Sequence, residues 1–270
     1  MKTCLIIDET YFFHPKFVND LCNNENCEIV SAILVKKIPK KNSLSQYLIR
    51  NIFKLYFSEI VVLFLITLIK KIKELIYIFF KIGFPQSVSS VLKFHKIKFL
   101  ETNFSLNKNE IIDFIKENEV QLILSSNPLY IPKKILDLDK IVILNRHSSY
   151  LPINGGLWPV FYSISKNMNF TGVSIHLVNN LIDSGQIISQ KKIKLFSKNL
   201  YNLYEKCFDE SSSLFFECIS IIKKDKVKLN VNIINKINYN TFPDNSDWIK
   251  FRKNKGRFAE WENLFQNLNH

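Results

Sequence analysis

Three polar side chains within residues 141–188 are of the types that move protons and stabilise developing charge. A short apolar run leads directly into Asn145 and His147, and Asp183 lies in a turn after a second apolar run at 172–178. An amide N–H can donate to an oxyanion, and an imidazole titrates close to physiological pH. A nearby carboxylate orients the imidazole and favours its charged form. The three residue types together predict a proton-handling site.

Several short motifs follow one another in order around these residues. From Asn145 the chain reads N-x-H-x-x-x-L-P, then Gly-Gly, then T-G-V-S-I-H and finally I-D-S-G-Q-I-I. This order resembles the formyltransferases that use 10-formyltetrahydrofolate, a family that includes glycinamide ribonucleotide, methionyl-tRNA and nucleotide-sugar amine enzymes. The likeness is strongest within residues 141–188 and extends from about residue 85 to residue 200.

The resemblance implies a reaction and a role for each polar residue. A formyl group would pass from 10-formyltetrahydrofolate to a primary amine, which must lose a proton while negative charge develops on the formyl oxygen. We expect Asn145 to donate to that oxygen, His147 to take the proton, and Asp183 to orient the imidazole. His176 lies in the apolar run G-V-S-I-H-L-V and is expected to support the site structurally.

The resemblance also implies a pocket for the pterin ring of the folate. In the family this pocket is lined by the loop before the catalytic strand and by the loop that carries the aspartate. The corresponding residues here are Leu129, Tyr130, Ile131, Asn180 and Ile182. For the apolar members of this set, plain core packing is the alternative interpretation.

The turn before the two glycines departs from the family pattern. Leu151-Pro152 matches the pattern, but Tyr150 replaces its usual leucine and Ile153-Asn154 replaces a basic–aromatic pair. Gly155 stands where relatives can carry an arginine that helps to hold a substrate phosphate or backbone. This turn therefore does not identify the acceptor.

Strand-like and helix-like segments alternate along the chain. Apolar runs predict strands at residues 3–7, 28–35, 97–100, 120–124 and 141–144, and periodic patterns predict helices at 15–22, 107–117 and 133–138. Such alternation predicts an α/β fold with a Rossmann-like, mostly parallel open sheet, with ligands beyond the carboxyl ends of its strands. No G-x-G-x-x-G follows the first run, so a dinucleotide-binding loop is not expected.

Residues 44–82 interrupt this alternation with a long helical pattern. Residues 60–69 carry no charge and are followed by Lys70, Lys71 and Lys73. This run is too short to cross the roughly 30 Å of bilayer hydrocarbon as a helix. Two interpretations stay open: a helical insertion packed on the catalytic domain, or a basic amphipathic helix pair lying on a membrane surface.

The sequence predicts a domain boundary near residue 200 that no linker marks sharply. We expect residues 1–200 to form the catalytic domain, and residues 201–270 to add a C-terminal helix and a small α/β extension. Within that extension, 201–223 has a helical pattern and 228–237 alternates loosely like a strand. The segment 239–252 resembles the tail of several sugar-amine formyltransferases.

The composition is that of a folded, basic protein. Hydrophobic residues make up 47% of the chain and aromatic residues 13%, which excludes disorder as a description of the whole. The net charge of +13 suits nucleic acid or an anionic substrate, although lysine is abundant throughout. The five cysteines lack a C-x-x-C pair, and Cys22 and Cys27 with His14 fit no zinc pattern. With no secretory hydrophobic segment at the N-terminus, we expect reduced thiols, no metal and a cytoplasmic location.

The sequence is compatible with more than one acceptor and with more than one class of function. The tail favours a nucleotide-linked amino sugar, with a small molecule rather than nucleic acid as the partner. Methionyl-tRNA is the rival acceptor because a basic protein suits RNA phosphates, although we expect the roughly 70 residues after the core to be too few for the RNA-binding barrel of those enzymes. A different class of function is a non-catalytic module that keeps the fold and contacts a membrane through residues 44–82. A homodimer is compatible with each of these functions.

Overall fold

The computed structural model describes residues 1–37, 44–225 and 239–269. The strands are β1 (Lys2–Asp8), β2 (Glu28–Lys37), β3 (Lys98–Asn103), β4 (Leu122–Ser126), β5 (Val142–His147), β6 (Gly155–Gly156), β7 (Phe170–Leu177), β8 (Ile187–Lys194) and β9 (Tyr239–Asn240). Seven of them form one sheet in the order β3-β2-β1-β4-β5-β7-β8, and β6 pairs with β9.

The sheet is parallel from β3 to β5 and antiparallel at one edge. β1 to β5 pair in parallel, whereas β7 runs antiparallel to both β5 and β8. The prediction of a Rossmann-like, mostly parallel open sheet is confirmed. β8 was not predicted from the sequence. Its run I-I-S-Q-K-K-I-K mixes apolar residues with lysines because the strand forms the edge of the sheet.

Helices cover both faces of the sheet. They are α1 (His14–Cys22), α2 (Leu44–Arg50), α3 (Phe57–Phe80), α4 (Val88–Phe94), α5 (Asn109–Glu117), α6 (Lys133–Leu136), α7 (Pro159–Ser165), α8 (Leu200–Asp225), α9 (Asn245–Lys253) and α10 (Trp261–Asn269). Alternate residues of β1 enter opposite cores. Leu5 packs in the core that holds α1, α4, α7, α8 and α9, and Ile6 packs in the core that holds α5 and α6.

The core on the α8 side continues past residue 200. Leu203, Cys207 and Phe215 of α8 are fully buried in the same cluster as Leu5 of β1. The strand predicted at 228–237 lies outside the described residues. The division into a catalytic domain and a C-terminal extension stays a prediction.

Two buried carboxylates fix the long insertion helix α3 to the rest of the chain. Near its start, Glu59 accepts two hydrogen bonds from Arg252, at 2.7 and 2.6 Å, and one from the backbone N–H of Phe258 at 2.9 Å. Near its end, Glu74 accepts from the backbone N–H of Gln86 at 2.6 Å and from the hydroxyl of Ser87 at 2.6 Å. None of the helices in the described residues combines the length and apolar character that a membrane crossing requires.

Removal of the Glu59 carboxylate should destabilise the protein severely. Because Glu59 is fully buried, Glu59→Ala would leave the Arg252 guanidinium without its counter-charge, and we expect a loss of about 3 to 5 kcal/mol in the free energy of unfolding. Glu119→Ala, which removes the exposed partner of Lys2, is the control and should change little. Urea denaturation measures both variants, and equal losses would contradict the anchoring role of Glu59.

Candidate active site

The end of β5 and the loop after β7 bring the predicted polar residues together. Asn145 and His147 lie on the same face of β5 because side chains alternate along a strand. The antiparallel register places His176 of β7 directly opposite Asn145, so these two side chains also share a face. Asp183 follows β7 and approaches both imidazoles. The three residues predicted to be catalytic therefore meet, and His176 completes the cluster.

The Asp183 carboxylate is the centre of this cluster. One oxygen, Oδ2, accepts the backbone N–H of Gly156 at 2.7 Å and lies 3.7 Å from Nδ1 of His147. The other, Oδ1, lies 3.6 Å from Nε2 of His176. Burial alone would raise the pKa of Asp183, but the two histidines and the Gly156 N–H together hold it well below its usual range. Asp183 is therefore ionised at neutral pH.

The hydrogen bonds of His147 leave one ring nitrogen able to accept a proton. Nε2 lies 3.2 Å from the carbonyl oxygen of Asn154, so the neutral ring carries its proton there and donates it to that carbonyl. Nδ1 is then unprotonated and faces Asp183. Burial lowers the pKa of His147 below its ordinary 6.5, and Asp183 opposes that shift. The ring is neutral at pH 7, and the carboxylate stabilises the imidazolium that forms when Nδ1 takes a proton.

His176 fixes the orientation of the Asn145 amide. Nδ1 of His176 lies 2.7 Å from the carbonyl oxygen of Leu177, so it must donate, and in that tautomer Nε2 is an acceptor. That acceptor lies 3.3 Å from Nδ2 of Asn145. The amide nitrogen, rather than its oxygen, must therefore face His176. Its second N–H remains available to a ligand oxygen in the adjacent cavity.

Two glycines of the motifs allow the backbone to reach these positions. Gly156 has a φ of +86°, and a Cβ there would lie 2.3 Å from the carbonyl oxygen of Asn240. At Gly185 a Cβ would lie 1.7 Å from the carbonyl oxygen of Leu177. Gly156 thus supplies the N–H that holds Asp183, and Gly185 lets the Asp183 loop close against β7.

A cavity of about 970 Å³ opens beside the cluster at the carboxyl ends of the parallel strands. Asn145, His147 and Asp183 line it, and so do four of the five residues that the sequence predicts for the pterin pocket: Leu129, Tyr130, Ile131 and Ile182. The fifth, Asn180, is exposed and is not among the lining residues, whereas its neighbours Asn179 and Leu181 are.

Aromatic side chains line much of the rest of the cavity. They are Phe12, Phe13, Trp158, Tyr201, Tyr204, Phe208, Tyr239, Phe242 and Phe258. None of them was predicted from the sequence as a site residue. They come from widely separated segments of the chain, so only the folded structure groups them.

Arg146 adds a buried positive charge to this cavity. Its Nε donates to the hydroxyl of Ser211 at 2.8 Å and its Nη2 to the hydroxyl of Ser148 at 2.7 Å, while the guanidinium lies 3.6 Å from the ring centre of Phe208. In the part of the chain that the structure describes, no carboxylate pairs with it, and burial lowers its pKa to about 10. Arg146 was not predicted from the sequence as a site residue, although a charged residue inside an apolar strand is a usable signal.

Asp8 is a second polar residue that the sequence analysis passed over. It ends β1 and lines the same cavity, and its Oδ1 is buried without a hydrogen-bond partner in the described residues. Burial raises the pKa of Asp8 to about 7. The carboxyl can therefore donate to or accept from a polar group of a ligand. Within the same described ranges, no group of three or more His, Cys, Asp and Glu residues could hold a metal ion.

Comparison with known proteins identifies the family. The family model described as "Formyl transferase" matches residues 77–219, more than half of the chain. The chain belongs to the formyl transferase family. This match includes Asn145, His147 and Asp183, so the whole polar cluster lies within the shared region.

Individual relatives show how far the likeness extends. A methionyl-tRNA formyltransferase of Prochlorococcus marinus is 33% identical over 155 residues, covering 54% of this chain and 47% of that protein. The chain thus spans about half the length of the curated relatives it matches. A 4-N formyltransferase from Francisella tularensis has the same fold, with a TM-score of 0.54, 16% identity, and coverage of 95% of this chain and 88% of that one. A sugar 3N-formyl transferase solved with dTDP and 5-N-formyl-THF gives a TM-score of 0.52 and is 17% identical, with coverage of 89% of this chain and 69% of that one.

The pKa of His147 should lie below 6.5 and depend on Asp183. Burial disfavours the imidazolium, whereas the Asp183 carboxylate favours it, so Asp183→Asn should lower the pKa of His147 further. NMR titration of the imidazole carbon-bound protons in both proteins measures this. A His147 pKa that is unchanged or higher in the variant would contradict the coupling.

Proposed function

We propose that this protein transfers a formyl group from 10-formyltetrahydrofolate to a primary amine. The observation that carries the proposal is the meeting of Asn145, His147 and Asp183 at the wall of a cavity large enough for two substrates. Membership of the formyl transferase family supports the reaction, and the apolar wall of Leu129, Ile131 and Ile182 fits a flat heteroaromatic ring.

Each polar residue has one task in this reaction. The folate supplies a formyl carbon bound to a nitrogen that can leave. The free N–H of Asn145 donates to the formyl oxygen, which becomes negative as the amine attacks the carbon. Nδ1 of His147 takes the proton that the amine loses, and the imidazolium then returns a proton to the leaving folate nitrogen as its bond to carbon breaks. Asp183 stabilises the imidazolium between these two steps.

We further propose that the amine belongs to a nucleotide-linked amino sugar. In the described residues, Arg146 is the one lysine or arginine side chain that lines the cavity, and it offers N–H donors of the kind that bind a phosphate oxygen. The aromatic residues around it, Tyr204 and Phe208 among them, suit the flat base or the ring of such a substrate. The tail resemblance of residues 239–252 supports the same class.

Methionyl-tRNA is the second candidate acceptor. The curated relatives in sequence carry that name, and the net charge of +13 suits an RNA partner. Against it, most of the cavity wall is aromatic or apolar rather than basic. The two candidates differ in where their phosphates would bind. A nucleotide-linked amino sugar would place its phosphate beside Arg146 inside the cavity, whereas tRNA would place many phosphates on the outer surface of the protein.

A mass measurement tests the reaction and the acceptor together. The protein is incubated with 10-formyltetrahydrofolate and a panel of nucleotide-linked amino sugars, with methionyl-tRNA as a further member. We expect one amino sugar nucleotide to gain the mass of one formyl group in place of a hydrogen. A gain on methionyl-tRNA alone would overturn the acceptor proposal, and a gain on no amine would contradict the transfer reaction.

Asn145→Ala should remove most of the activity without unfolding the protein. Loss of the N–H at the formyl oxygen should lower kcat/KM by a factor of about a hundred or more. Asn23→Ala changes an exposed asparagine that follows α1 and serves as the matched control. Steady-state kinetics on the active amine checks both variants, and activity in Asn145→Ala within twofold of the control would exclude the assigned role.

Arg146→Met should separate substrate binding from folding. The side chain has a similar length but no charge, and since Arg146 has no acidic partner, its loss should leave the unfolding temperature unchanged or higher. The KM for the acceptor should rise by a factor of about 10 to 100, the usual strength of a charged hydrogen bond, with the KM for folate little changed. A large fall in stability with an unchanged acceptor KM would show a purely structural arginine.

A further inference from the structure

The outer face of α3 exposes a row of large apolar side chains. The row consists of Phe57, Phe64, Leu68, Ile72, Leu75 and Phe79. Successive members are three, four or seven residues apart, so they share one side of the helix. The exposed fractions are high, with 80% for Phe57, 64% for Phe64 and 74% for Phe79. The opposite side, with Val62 and Ile66, is fully buried against the rest of the protein.

The exposed apolar surface widens at the C-terminal end of the helix. Ile76, Ile78 and Phe80 are exposed there in addition to the row, and Ile82 and Phe84 continue the surface beyond the helix. At about 100° per residue, positions 75 to 80 present apolar side chains over more than half of the helix circumference. One packed partner helix would cover only a stripe of such a surface. A soft medium that surrounds the side chains fits it better.

The exposed charges that residues 50–98 carry have a single sign. Between residues 50 and 98 every exposed charged side chain is basic: Arg50, Lys71, Lys81, Lys93, Lys96 and Lys98. The two acidic residues of the same stretch, Glu59 and Glu74, are buried and hydrogen-bonded within the protein. Within residues 50–98 the exposed charge that accompanies the apolar surface is therefore positive, whereas α10, which packs against α3, carries the exposed Glu262 and directly follows the exposed Glu260.

We propose that this surface, residues 57–84, docks on the face of an anionic lipid bilayer. Apolar side chains that enter the interface gain from removal from water, and the bordering lysines meet anionic headgroups. A second copy of the chain suits the surface less well because symmetric pairing would bring lysines against lysines. The helix lies on the bilayer rather than crossing it, in agreement with its buried inner face.

Docking would place the active-site cavity close to the lipid. Leu63 and Thr67 of α3 line the cavity from the inner side of the same helix. One helix, about 10 Å across, thus separates the cavity from the proposed lipid surface. The amine acceptor would be modified at the membrane face. The docking proposal itself stands on the surface features of residues 50–98 and does not require formyl transfer.

Co-sedimentation of the 270-residue protein with lipid vesicles tests the proposal. Vesicles that contain phosphatidylglycerol are compared with vesicles of phosphatidylcholine alone. We expect sedimentation with the anionic vesicles, at least about tenfold weaker with the neutral ones, and partial release by high salt. The double variant Phe64→Ser, Phe79→Ser should bind the anionic vesicles at least about tenfold more weakly.

A matched control distinguishes binding through residues 57–84 from non-specific hydrophobic binding to vesicles. Phe104→Ser with Phe196→Ser removes two phenylalanines that are 54% and 58% exposed outside residues 57–84 and should leave vesicle binding unchanged. Equal losses in the two double variants, or no binding to anionic vesicles by the original protein, would overturn the proposal. A protein that does not bind vesicles, and whose dimer in light scattering dissociates in the double variant Phe64→Ser, Phe79→Ser, would also overturn the proposal. Formyl transfer to a soluble amine is assayed separately, so a failure of docking is distinguishable from a failure of the proposed function.

Discussion

The ionised carboxylate of Asp183 in a nearly water-free position is the constraint on which the site depends. A buried charge is tolerated only when donors or opposite charges compensate it. Here the Gly156 N–H donates to one oxygen, and the two histidines that approach opposite oxygens add opposite charge when they are protonated. The left-handed backbone at Gly156 and at Asp183, with φ values of +86° and +53°, brings these groups together.

The two histidines relate to this carboxylate in different ways because their hydrogen bonds differ. Donation from Nε2 of His147 to a backbone carbonyl leaves Nδ1 as the basic atom, whereas donation from Nδ1 of His176 leaves Nε2 as an acceptor for Asn145. One ring is thereby prepared to take a proton, and the other to orient an amide. The chemical asymmetry of the site thus follows from two backbone carbonyls.

Much of this arrangement was predictable from the sequence, and the reasons for the misses are physical. The short apolar run before Asn145, the glycines and the aspartate turn are local signals, so the sequence singled out the three polar residues that the structure brings together. The contact between His176 and Asn145 depends on the antiparallel register of β5 and β7, which no local pattern encodes. The setting of Arg146 depends on Ser211 and Phe208 of α8, more than sixty residues along the chain. An amphipathic pattern such as that of α3 is the same for a helix packed on a protein and a helix at a membrane, so the sequence left both interpretations open.

A structure of the protein with bound 5-formyltetrahydrofolate tests the central claim most directly. That claim is that the amide of Asn145 faces the formyl oxygen of a folate bound against Ile131 and Ile182. The measured quantity is the distance from Nδ2 of Asn145 to the formyl oxygen. We expect a hydrogen bond of about 2.7 to 3.2 Å, with the formyl carbon on the side of His147. A folate bound elsewhere, or a formyl group out of reach of both residues, would contradict the assignment.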